Sequence, residues 1–211
     1  MNANQLVIIA IVAALAVICS GCAQPSPAVA SPTVTPSPVP SSSPAATSGP
    51  MPTTLSAGTF TVSSTAFNAG ETMPAKYTAD GADISPPLNW SGAPAGTRSF
   101  AVIVEDTDAP GGTFTHWVIF NVPEDAAGLP EGVPKQPVTA GMALQGTNDF
   151  GQLGYGGPSP PPGSPHHYQF TVYALDNMLD RITVGATAAD VKAQMQGHIL
   201  AQDTLTGLYG S

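Results

Sequence analysis

The sequence predicts a mainly β domain behind a long leader. From about residue 58 onward, short runs rich in β-branched and aromatic residues recur. Clusters of Gly, Pro and Asp separate them. Only one stretch carries the start and stop signals of a helix.

Taken in order, residues 58–64 (GTFTVSS) alternate, with Phe60 and Val62 in phase, as a half-buried strand does. Turn chemistry follows at Asp80-Gly81, Pro86-Pro87 and Pro94-Ala-Gly96. Residues 100–105 (FAVIVE) form a near-continuous apolar run, which predicts a strand covered on both faces. After the turn at Pro110-Gly111-Gly112, residues 116–122 (HWVIFNV) and 168–175 (YQFTVYAL) read as two more strands. Thr187-Ala-Ala-Asp190 offers an N-cap and an acidic first turn, and Val191, Met195 and Ile199 follow at spacing four. This predicts a helix that Gly197 ends. Residues 202–209 are expected to return as a last strand, and no internal repeat is visible.

The 211-residue chain has 14 acidic and 5 basic side chains and a net charge of −9. No charge precedes Glu71, so the leader and the domain are unlike in composition. An acidic domain with five scattered bases argues against nucleic acid and against docking by a polybasic face.

The leader divides in two. Residues 6–18 are uninterrupted apolar residues, the length of a signal-peptide core and short for a span of about 20 residues. Cys19-Ser20-Gly21-Cys22 follows and looks like a lipobox, in which Cys22 would be lipidated and become the new N-terminus. An uncleaved membrane anchor and a plain secretion signal are the alternatives, and all three place the domain outside the cytoplasm. Residues 23–54 hold nine prolines among Ser, Ala, Thr and Val, with no charge and no aromatic. Such a segment packs no core and, as polyproline II, spans ~100 Å. The expected organisation is therefore 1–22 export or anchor segment, 23–54 disordered linker and 55–211 β domain. Both cysteines fall in the leader, so the domain has no disulfide, thiolate metal site or cysteine nucleophile.

Strand phasing singles out a candidate site. Asp106 is in phase with Phe100, Val102 and Val104, and His116 with Val118, Phe120 and Val122. His166 and Tyr168 are in phase with Phe170 and Val172. Each strand thus ends its apolar face in a hydrogen-bonding group. Residues 154–163 (GYGGPSPPPG) form a tight loop whose glycines allow backbone N–H groups close to a ligand. Two imidazoles, a phenol and glycine N–H groups suit an anionic oxygen such as that of a phosphomonoester, while a neighbouring carboxylate orients a histidine. Taken one at a time, the same residues also read as a strand terminator, two satisfied histidines at the core edge and a packing tyrosine.

Asp106, Asp108 and His116 match no standard metal spacing, so no metal is expected. There is no Gly-x-Ser-x-Gly, Walker A loop or dinucleotide fingerprint, and neither a catalytic residue nor a cofactor is assigned.

Several motifs in series resemble the phosphatidylethanolamine-binding protein family, in its prokaryotic Raf kinase inhibitor-like branch. They are residues 84–90 (ISPPLNW), 94–110 (PAGTRSFAVIVEDTDAP), His116-Trp117, 155–163 (YGGPSPPPG) and His166-His167-Tyr168. The resemblance covers nearly the whole domain. It implies a β-sandwich with a large antiparallel sheet, a smaller second sheet and one or two short helices. It also implies an anion pocket built from Asp106, His116, Gly157, His166 and Tyr168, with Asp108, Pro110 and Trp117 in support. Thr107 and His167 stand where the family usually has Pro and Arg, and Ala79 and Ser159 where this branch often has Cys.

The resulting expectation is a non-catalytic binding protein for a small anion or phosphate-bearing head group, tethered to a membrane and facing out of the cytoplasm. The alternatives are an inhibitor of a kinase or protease acting through its surface, and a hydrolase using the same pocket. Relatives in this branch are often homodimers; no interface is legible in the sequence.

Overall fold

The computed structural model describes residues 58–210. The predicted export segment with Cys22 and the proline-rich linker lie outside the described residues.

Among the described residues, eight strands make two antiparallel sheets, accompanied by one α-helix. The smaller sheet orders β1 (Thr61–Ser63), β2 (Leu88–Ser91) and β5 (Gly128–Leu129) as β1-β2-β5. The larger holds β3 (Ser99–Asp106), β4 (Phe114–Pro123), β6 (Leu144–Gln145), β7 (His166–Leu175) and β8 (Ile199–Tyr209) in the order β6-β4-β3-β7-β8. A single 3₁₀ turn, Ala75–Tyr77, lies between β1 and β2.

The mainly β reading holds, and so does the double burial of the central strand. Phe100, Val102 and Val104 of β3 join the core between the sheets, with Trp90, Trp117, Phe170 and Val172. Ala101 and Ile103 face the other way and pack with Val118, Phe120, Leu175, Val191 and Met195 beneath α1 (Ala188–Met195). A strand with helix on one side and sheet on the other has no solvent face, hence the unbroken apolar run.

The helix begins as expected. Thr187 accepts from the Asp190 N–H, and the Asp190 carboxylate accepts from the Thr187 N–H, a reciprocal capping box. Gly197, at φ 79°, ends it. Ile199 is a correction: it starts β8 and is exposed, because the chain turns at Gly197 before the next helical position is reached. The first strand is also shorter than the alternation suggests.

β4 has two irregularities, and the first bears on the site. Val104 pairs with Trp117 and Glu105 with Thr115, so His116 is an extra residue, a β-bulge. A second bulge lies between Ile119 and Val122, where Asn121 takes φ 57° and its side-chain amide bonds both backbone groups of Leu179.

Candidate functional site

Asp106 at the end of β3 and His166 and Tyr168 at the start of β7 meet by register, with Asp106 directly opposite Tyr168. Both strands turn these residues toward the side of the large sheet that carries Val104 and Phe170. His116 reaches the same place by a different route. Simple alternation puts it with Val118 and Phe120, on the helix side. The bulge releases it from that phase and turns it toward Tyr168, ring centroids 5.2 Å apart. His116 thus reaches the cavity through the bulge and not through the strand phase that singled it out.

These four residues line a cavity of about 190 Å³. Asp106 is buried, and each of its carboxylate oxygens accepts a hydrogen bond. Its Oδ1 accepts from the Asp108 N–H at 2.9 Å, and its Oδ2 accepts from His166 Nδ1 at 2.7 Å. His116 Nδ1 donates to the Gly156 carbonyl at 2.7 Å. In both rings Nδ1 is committed, so Nε2 is the nitrogen left for a ligand. Burial pulls His116 below its ordinary value, although the Gly156 carbonyl and the Asp106 carboxylate pull the other way. At neutral pH its Nε2 is thus a lone pair.

The Tyr168 hydroxyl is buried and has no hydrogen-bond partner. Burial first, the Asp106 charge second and the proximity of Asp106 as a hydrogen-bond acceptor third push it far above the ordinary phenol range, so it remains a donor. Asp106 is near enough to repel the phenolate, yet the two groups do not form a well-directed hydrogen bond. A buried hydroxyl left unmatched costs about 1–3 kcal/mol and is the clearest sign of an unfilled role.

Around this polar floor stand residues that strand phasing could not find. Phe114, from β4, and Phe150, from the loop after β6, line the cavity with Ala109, Pro110, Ser159, Pro160 and Pro161. Phe150 packs edge-on against Phe114 at 4.8 Å and against His116 at 5.4 Å. The alternation Phe114, His116 was the one available hint; Phe150 lies far away in sequence, outside any strand.

Three expected residues do not line the cavity. Gly157 donates its N–H to Asp83 Oδ1 at 2.7 Å, so that N–H is not offered to an anion. Its need for glycine is steric: a Cβ there would lie 2.7 Å from the Thr78–Ala79 backbone. Trp117 is fully buried in the inter-sheet core and donates to Gln145 Oε1 at 2.8 Å. Asp108 is exposed; its Oδ2 accepts from both the N–H and Nδ1 of His167. Pro110 does line the wall. Among the described residues no group of three or more His, Cys, Asp or Glu is placed to hold a metal.

A second cavity, of about 350 Å³, lies at the far end of β4 between Val122 and Ala143. Asp125 is its one ionisable lining residue. Volume alone therefore does not mark the site; convergent polar groups do.

Comparison with known proteins agrees with the fold. The family model described as phosphatidylethanolamine-binding protein matches residues 63–210. A protein named UPF0098 from Methanothermobacter thermautotrophicus is 49% identical over 144 residues, covering 68% of this chain and 94% of its own length. The crystal structure of Escherichia coli YbcL, described as a new member of the mammalian PEBP family, aligns with a TM-score of 0.67 at 36% identity. That alignment spans 72% of this chain and 98% of YbcL. The PEBP homolog CT736 of Chlamydia trachomatis aligns over the same shares with a TM-score of 0.66 at 36% identity.

Proposed function

The chain belongs to the phosphatidylethanolamine-binding protein family, and from that membership and the pocket chemistry we propose that the domain binds a small oxyanion, such as a phosphate or phosphate-bearing head group, between His116, His166 and Tyr168. The observation that carries the reading is the buried, unpartnered Tyr168 hydroxyl beside two imidazoles whose Nδ1 atoms are already committed. A ligand oxygen is the group that would satisfy it.

Asp106 orients rather than binds. Its two oxygens are occupied, and it fixes His166 so that Nε2 can meet a ligand. No Lys or Arg lines the pocket. The oxyanion therefore arrives with a proton, either its own acidic hydroxyl donating to His116 Nε2 or a proton taken up by His116. Binding should tighten as pH falls.

Neither the family description nor the relatives' names carry an enzymatic activity, so no chemical step is proposed. Outside the described residues, lipidated Cys22 and the proline-rich linker would tether the domain outside the cytoplasm. Palmitate incorporation into the full-length chain, abolished by Cys22→Ala, tests that placement.

Calorimetric titration with phosphate and phosphoethanolamine tests the pocket. His116→Ala should weaken binding tenfold or more, as loss of a hydrogen bond to a charged ligand does, and Asp106→Ala should weaken it as well by releasing His166 from its orientation. Identical isotherms for wild type and both variants would sink the assignment.

A further inference from the structure

We infer that Phe150, held over the pocket mouth by Asn148, makes the site selective for oxyanions bearing an apolar substituent, such as alkyl phosphoesters, over fully hydrated ions such as inorganic phosphate. This rests on the oxyanion reading above and narrows its ligand class.

The pocket is layered. Asp106, His116, His166 and Tyr168 are buried and form its floor, while Phe114, Phe150, Pro110 and Pro161, with the exposed Ser159 beside them, line it nearer the solvent. An inorganic phosphate seated on the floor would turn its remaining oxygens toward a wall that is mostly hydrocarbon, where the Ser159 hydroxyl is the one side-chain donor for them. An ester of the same phosphate puts carbon there instead. Phe150 is 47% exposed, so a substituent rising past it would cover apolar surface that now meets water.

The ring is not there by chance of a loose loop. Asn148 is buried, and its Oδ1 accepts from the N–H groups of Phe150 (3.1 Å) and Gln152 (3.0 Å) while its Nδ2 donates to the Gly154 carbonyl (2.9 Å). Next to it, the Asp149 N–H donates to the Thr115 carbonyl and the Asp149 carboxylate accepts from the Thr115 N–H, which moors the turn to β4. From the far side, a Cβ on Gly156 would come within 2.7 Å of the Phe150 ring, and the carbonyl of Gly156 is the one that takes His116 Nδ1. The ring, the glycine loop and the ligand-facing histidine are therefore positioned together. Asn148 acts as a positioning residue and Phe150 as the specificity residue.

The test is a homologous series titrated calorimetrically into the full-length chain at pH 6: inorganic, methyl, ethyl and butyl phosphate. Affinity should rise about fourfold for each methylene that becomes buried. Phe150→Ala should flatten that slope, Phe150→Leu should keep part of it, and Asn148→Ala should flatten it with Phe150 intact. The slope is the readout, whatever happens to inorganic phosphate itself. A flat wild-type series with phosphate still bound overturns this inference and spares the oxyanion reading; failure of every member to bind overturns both. An unchanged slope in Phe150→Ala also overturns it. If Asn148→Ala does not fold, the two Phe150 variants decide. Dihexanoyl phosphatidic acid separates the sources. Binding tighter than butyl phosphate identifies a lipid head group, and its exclusion with the alkyl slope retained identifies a soluble phosphoester; in either case the apolar selectivity stands.

Discussion

His166 and His167 are neighbours on β7, and each donates Nδ1–H to an aspartate at 2.7 Å. The pairs are matched in chemistry and length but not in surroundings. The side chains of His166 and Asp106 are 11% and 6% exposed, those of His167 and Asp108 55% and 44%. Strand alternation alone separates them, one facing the pocket and the next facing water. The inner pair fixes an imidazole against a ligand cavity. The outer pair closes a loop: Asp108 also takes the His167 N–H, and the Thr107 N–H returns to the His167 carbonyl. A contact distance says little about a pair until its solvent is known.

His166→Ala should break that comparison open most widely. It leaves Asp106 buried with one fewer donor, and losing one partner of a buried pair costs roughly 3 kcal/mol. For a domain of this size the melting temperature should fall by about 6–12 °C. Phosphate binding should be lost as well. A scan that moves no more than the His167→Ala scan would show the two pairs to be equivalent after all.

Tyr168→Phe should act in the opposite direction on stability. The hydroxyl is buried without a partner, so removing it relieves a desolvation cost of about 1 kcal/mol while the ring keeps its contacts. The melting temperature should rise by a few degrees while phosphate affinity drops. A fall in both would mean that the hydroxyl already has a structural partner.

Acidification sharpens the contrast through His116, the third ring on the pocket side. Burial holds its folded value below the ordinary 6.5, against the opposing pull of the Gly156 carbonyl, Asp106, Asp149 and Asp83. The unfolded chain thus takes the proton first. The stability contributed by neutral His116 is whole above pH 6.5 and declines as pH falls from there toward the lower folded value. Phosphate should offset the decline, because the bound anion favours the protonated ring. Asp108, held below 3.8 chiefly by the His167 N–H, gives up its contribution only at lower pH. Melting curves from pH 7.5 to 5, with and without phosphate, should show a phosphate-dependent limb that His116→Gln removes. A limb that persists in that variant would assign the effect elsewhere.

Much of this was legible from residue order alone. The buried run of β3, the aromatic strands β4 and β7 and the capping box at Thr187 are local signals, and each matches its element. Asp106, His166 and Tyr168 were found because β3 and β7 keep strict register. His116 was found although its strand does not, since a bulge leaves no mark in a hydrophobic pattern. Phe150 was missed because a loop brings it across from outside any strand. Gly157 does not line the cavity, and a glycine required by a close backbone neighbour looks, in sequence, like one required by a ligand.

The smallest expected effect is the most diagnostic. His167→Ala deletes the exposed imidazole but not the two backbone hydrogen bonds at that residue, from its N–H to Asp108 and from Thr107 to its carbonyl. An exposed pair is screened by water and holds its side chains at an entropic cost, so the loop should stay closed without it. The melting temperature should move by no more than the scatter of replicate scans, and phosphate affinity should stay at the wild-type value. His167→Arg should be equally silent toward phosphate, because a cation at this position projects into solvent rather than into the cavity. A tenfold tightening by that arginine would show that the outer face of β7 also reaches the ligand, and the division between the two pairs would have to be redrawn.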